Sequence, residues 1–132
     1  MTHPTSLLPT QRVVQICLFL IAAIAIMGGA VQMYLGQPDT TSRLDNIHRF
    51  MAGVYFTAGV TGLWAGITIR QQNTLVFLLA LAAFLGGVGR LVSMSQVGLP
   101  EPTGLWIGYL VPELSLPCIM VVCQIITNKK LK

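Results

Sequence analysis

A chain of 132 residues with 9% charged and 54% apolar side chains cannot cover itself with a water-facing surface, which ordinarily carries about 25% charge. The same figures exclude a disordered chain, and the length fits one domain. The formal charge of +4 does not indicate nucleic acid, because the eight Lys and Arg are scattered at positions 12, 43, 49, 70, 90, 129, 130 and 132 instead of forming a patch.

A bilayer core about 30 Å thick takes about 20 apolar residues as a helix, and four runs of that kind follow one another. The first covers 13–35, between Arg12 and Gly36-Gln37-Pro38-Asp39. Arg12 with the small residues Gly28-Gly29-Ala30 has the outline of a secretory signal, but the run is too long for an h-region, so an uncleaved span is expected. A polar turn leads to Ser42-Arg43-Leu44-Asp45, patterned as a helix start with a capping acid. The second run, 48–69, ends at Arg70-Gln71-Gln72-Asn73, and the third is 74–94. The segment 95–104 holds two prolines and two glycines and reads equally as an ordered lid or a passive connection. The fourth run, 105–127, precedes Asn128-Lys129-Lys130. All four runs are apolar on every side, without period-2 alternation, so helices are expected. Short connections make consecutive helices antiparallel neighbours. The expected architecture is all-α: one transmembrane domain over 1–132, an up-down four-helix bundle.

With four spans, Arg12, Arg70, Lys129, Lys130 and Lys132 share the side of the termini. Arg43, Arg49 and Arg90 lie opposite, with all four acids: Asp39, Asp45, Glu101 and Glu113. Five basic residues against three put both termini in the cytoplasm, as expected of a multi-pass protein of a cell inner membrane.

The polar residues gather in the half away from the termini. His48 and Arg49 open the second run, Arg90 lies near the end of the third, and Glu113 is ~12 Å down the fourth at ~1.5 Å per residue. A charge at that depth is costly unless paired or hydrated, so Arg90 is expected to meet Glu113, with Arg49 as a second partner. On a helical wheel Glu113 shares its face with Trp106, Tyr109, Pro117, Met120 and Gln124, and Arg90 with Ala83, Gly86 and Gly87. Both faces are expected to point inward. The candidate ligand-binding set is Arg49, Arg90, Glu113, Ser93, Tyr109, Trp106, His48 and Tyr55. Two readings fit it: a clasp locking two helices, or a charged pocket open to the outer leaflet.

Ala58, Gly62 and Gly66 form a small-xxx-small ladder that lets another helix approach closely, either within the bundle or in a second copy. Self-association through this ladder is expected. Pro112 and Pro117 bracket Glu113 and each removes a helical hydrogen bond. They indicate either a simple kink or a broken segment of the sort that builds binding sites at membrane depth.

Other chemistry is missing. Cys17, Cys118 and Cys123 form no CxxC, and His3 and His48 have no spacing for metal or haem. Ser93 and Ser115 belong to no nucleophile motif, and no phosphate-cradling glycine loop occurs. No metal, cofactor or nucleic acid is expected.

Two segments carry a resemblance: His48-Arg49-Phe50-Met51-Ala52-Gly53-Val54-Tyr55, and Gly86-Gly87-Val88-Gly89-Arg90-Leu91-Val92-Ser93. The second is followed by Gly98-Leu99-Pro100 and by Glu113 in the last run. The arrangement resembles the bacterial "domain of unknown function 4345" membrane proteins, small four-span chains related to the DoxX-like group. The resemblance implies an integral inner-membrane protein. It supplies no catalytic residues, only matching positions at Arg49, Arg90, Ser93 and Glu113.

Three functions are then open. The favoured one is a non-enzymatic protein that binds a lipid, amphiphile or partner protein and supports envelope function, since converging polar groups in a pocket are by default a binding site. The others are a membrane enzyme with Glu113 as proton donor or acceptor, and a small transporter or efflux component. The expected occupant is an anionic or zwitterionic amphiphile, its head near Arg49 and Arg90 and its tail along Trp106, Tyr109 and Met120. The alternative is that Asp39, Asp45 or Glu101 neutralises the second arginine.

Overall fold

Four helices in chain order, α1 (Pro9–Leu35), α2 (Ser42–Ile67), α3 (Thr74–Val97) and α4 (Thr103–Lys130), with one 3-10 turn at Ile69–Gln71, make up the computed structural model. It describes residues 6–131. All four helices are long and apolar enough to cross a membrane, and no strand occurs among the described residues. Their outer surface is apolar as well: Met27, Phe50, Ile67 and Val122 are all exposed. Such a surface suits lipid, not water.

The helix ends follow from local chemistry. Pro9 opens α1, where its missing N–H costs nothing. Gly36, at φ 63°, closes it and donates to the Gln32 carbonyl at 2.9 Å. The cap of α2 is Thr41, whose hydroxyl accepts from the Leu44 amide at 3.3 Å. Asp45 is therefore not the capping acid; it accepts from the Gln37 amide just beyond α1 and from Arg49. Gly98, at φ 90°, ends α3 and donates to the Met94 carbonyl at 3.1 Å. The link 98–102 makes its polar contacts with the first turn of α4: the Glu101 carboxylate accepts from Thr103, and its carbonyl accepts from the Trp106 indole. Despite Pro112 and Pro117, α4 is one continuous helix, so the broken-segment reading is set aside.

The helices alternate in direction. At one end Thr10 and Thr127 share a hydroxyl hydrogen bond of 2.6 Å, and Gln15 Nε2 donates to the Gly66 carbonyl at 2.8 Å. At the same end Asn73 Oδ1 accepts from Gln124 at 3.1 Å and from Asn128 at 2.9 Å. Just inside these ties lies the packed core, built from Val14, Leu18, Ala65, Val76, Ala80 and Met120.

Neighbour relations differ from the expected succession. α1 packs along α2 and α4, and α3 packs along α4, but α2 and α3 meet at few positions despite their short link. Close approach decides this. A Cβ added to Gly59 would stand 2.8 Å from the backbone nitrogen of Ile26, and one on Gly29 would stand 2.8 Å from the Ala52 oxygen. α1 and α2 thus touch through backbone at glycines contributed by both. The same contacts absorb the ladder. Gly62 is buried against Ala22, Gly66 against Phe19, and Ala58 turns toward a cleft between α2 and α3. The within-bundle reading of the ladder thus accounts for Gly62 and Gly66, which α1 covers, because in lipid the gain of close packing goes to the nearest helix able to use it.

Candidate functional site

Glu113 lies on the α4 face that also buries Pro117, Met120 and Gln124, and it is 8% exposed. α3 comes close beside it because of Gly87: a Cβ there would stand 2.7 Å from a Leu114 methyl and 3.4 Å from the Glu113 Cβ. One turn further on, Arg90 reaches the carboxylate with two prongs. Nε donates to Oε2 at 2.6 Å and Nη2 to Oε1 at 3.1 Å. The fork-on-fork geometry is the strong form of this pair, and in an apolar setting each charge requires the other.

Two aromatic rings complete the guanidinium's surroundings. Its central carbon is 5.5 Å from the ring centres of both Trp106 and Tyr109, within range of a cation–π attraction. From α2, the Tyr55 hydroxyl donates to Glu113 Oε1 at 3.4 Å, a long contact. The structure thus brings together Arg90, Glu113, Tyr55, Trp106 and Tyr109.

Arg49 stands apart. Its Nε donates to Asp45 Oδ2 at 2.9 Å, Nη1 donates to the Tyr34 carbonyl at 3.2 Å, and Nη1 also donates to the Met33 carbonyl. Asp45 in turn accepts from the Gln37 amide at 2.6 Å. Arg49 therefore satisfies the carbonyls that the last turn of α1 leaves without helical partners. The expected two-arginine pocket is not built. Asp45 neutralises the second arginine, and both Arg49 and Arg90 are paired within the chain.

Three further residues of the expected arrangement lie as follows. Ser93 is exposed on α3 and is not among the residues that wall the cleft. His48 lines a groove at the end away from the termini with Gln37, Trp106 and Tyr109, beside two of the expected residues but outside the wall that holds Tyr55. Met120 is wholly buried in the core at the opposite end, so no ligand tail lies along it.

A cavity lies beside Ala83 and Gly86, where the sequence left room, but Arg49 and Arg90 do not line it. It holds about 270 Å³ and is walled by all four helices, with Ile24 from α1, Val54 and Tyr55 from α2, Ala83 and Gly86 from α3, and Pro112 and Glu113 from α4. It lies where α2 and α3 fail to close on one another. Tyr55 and Glu113 bring the polar groups to an otherwise apolar wall. The legible signal was the small residues beside Arg90, which leave space at that level. Among the described residues no three His, Cys, Asp or Glu stand together as metal ligands.

A protein-family model described as "Domain of unknown function (DUF4345)" matches residues 13–124. No curated protein and no solved structure matches the chain.

Proposed function

The chain belongs to the DUF4345 family, and from that premise and the site's geometry we propose that it is a non-enzymatic membrane protein that holds a lipid-soluble amphiphile in the cleft between α2 and α3. The observation that supports the reading is a cavity of about 270 Å³ at membrane depth, apolar except at Tyr55 and Glu113. Ligand sites combine such walls with a few placed polar groups. Both oxygens of Glu113 are engaged by the Arg90 fork, as suits a fixed recognition group. In this reading, holding the amphiphile serves the cell envelope.

The test is native mass spectrometry of protein extracted in mild detergent. Wild type carries a co-purifying amphiphile, Ala83→Phe loses it because the ring fills the cleft, and Arg49→Ala keeps it because Arg49 is engaged elsewhere. Identical adducts on wild type and Ala83→Phe would overturn the proposal.

The membrane placement proposed is a bacterial inner membrane with both termini cytoplasmic, supported by the five-to-three distribution of Lys and Arg. In a background lacking the native cysteines, an impermeant thiol reagent added to intact cells labels Ser42→Cys and spares Lys130→Cys. The reverse pattern would invert the topology.

A further inference from the structure

The cleft's polar groups narrow what it can hold. The cavity wall includes Tyr55 and Glu113 but not Arg90, Trp106 or Tyr109. The guanidinium is engaged by Glu113 and lies over the two rings. An occupant therefore meets oxygen atoms, with the positive charge set behind them. An ionised carboxylate only accepts hydrogen bonds. The Tyr55 oxygen can accept as well, since its own hydrogen points at Glu113. The polar end of the occupant must consequently donate.

Charge restricts the choice further. An anionic head would give up its water to lie beside the Glu113 carboxylate, and the Tyr55 hydroxyl, the donor in that wall, is already turned to Glu113, so the desolvation is expensive. A cationic head would place a second positive charge against a carboxylate already matched by Arg90, leaving net charge in an apolar site. A neutral hydroxyl costs least to desolvate and gains a hydrogen bond to a charged acceptor. Size gives a third restriction. At about 270 Å³ the cavity falls just under the ~300–1,000 Å³ of sites for drug-sized ligands, so it takes one chain with a small head and leaves no room for a second chain or a bulky headgroup. Because α2 and α3 meet at few positions, the chain enters sideways from the bilayer.

We infer that the cleft selects a single-chain, neutral amphiphile with a hydroxyl head, a long-chain alcohol, which donates to Glu113 and Tyr55 and lays its chain along Val54, Ala58, Leu79 and Ala82. The inference rests on the cleft being a binding site, as proposed above. The test uses the full chain in phosphatidylcholine nanodiscs with three photo-crosslinking probes: hexadecanol bearing a mid-chain diazirine, and the same chain with a sulfate or an ammonium head. The alcohol labels residues 51–58 and 79–86 about tenfold more than either charged probe, the ratio one charge-assisted hydrogen bond supports. Tyr55→Phe, which keeps the ring and the Arg90–Glu113 pair, lowers alcohol labelling and leaves the charged probes unchanged. Ala83→Phe and Ala58→Leu, each checked for helicity, abolish it. Equal or stronger labelling by the sulfate or ammonium probe overturns the alcohol assignment while leaving the cleft as a binding site. Labelling by all three probes no greater than in the two filled variants overturns both.

Discussion

Removing either member of the Arg90–Glu113 pair is expected to cost about 3–5 kcal/mol of stability, because the remaining charge stays behind in an apolar bundle without its partner. Arg90→Ala leaves a carboxylate that is 8% exposed, with Tyr55 at 3.4 Å as its remaining hydrogen-bond donor. Glu113→Ala leaves a guanidinium that can still rest against Trp106 and Tyr109 and reach the end of the bundle away from the termini by its long stem. The loss should therefore be the larger for Arg90→Ala. The double variant should lose little more than the worse single one, since it leaves no unmatched charge. Thermal unfolding in one mild detergent across the four proteins measures this cycle. Additive losses would show that the two side chains do not act as a pair.

The second large effect is expected at Gly29. A Cβ there would stand 2.8 Å from the Ala52 oxygen and 2.8 Å from the Phe56 nitrogen, both backbone atoms of α2. No rotamer change relieves that clash, so α1 and α2 must move apart along the bundle's tightest interface. Gly29→Leu should lose at least the ~1–3 kcal/mol typical of overpacking, and the variant should unfold or aggregate on extraction. Gly89→Leu, where nothing lies within 4 Å, is the control and should match wild type. Gly62→Ala, with its nearest neighbour at 3.7 Å, should be tolerated too. Equal behaviour of Gly29→Leu and Gly89→Leu in a thermal scan would refute the backbone contact.

Part of the site was legible because the relevant signals are local. Glu113 shares a wheel face with Pro117, Met120 and Gln124, and that face is buried. Arg90 lies at matching depth on the next helix, with Gly87 one turn away to let α4 close in. Depth and face together singled out the pair before any packing was known. Arg49 misled for an equally physical reason. Its depth resembled that of Arg90, but α2 begins at Ser42, and an exposed arginine two turns into the helix has closer options. Asp45 lies four residues back on the same face, and the ends of α1 expose carbonyls nearby. The i,i+4 acid was visible in the sequence and is the signal that should have taken precedence.

The sequence by itself determined that this is a four-span helical membrane protein, because span length and the absence of charge are properties of contiguous residues. It also determined that the deep carboxylate needs a cation, since no charge survives alone at that level. Tertiary structure alone decided which helices are neighbours. Gly29, Gly59 and Gly66 fit against α1–α2 partners, and the short α2–α3 link does not outweigh that packing. From this choice came the cleft, walled by residues from all four helices. A gap between two helices is made by where the others hold them, and no periodicity in a single helix records it.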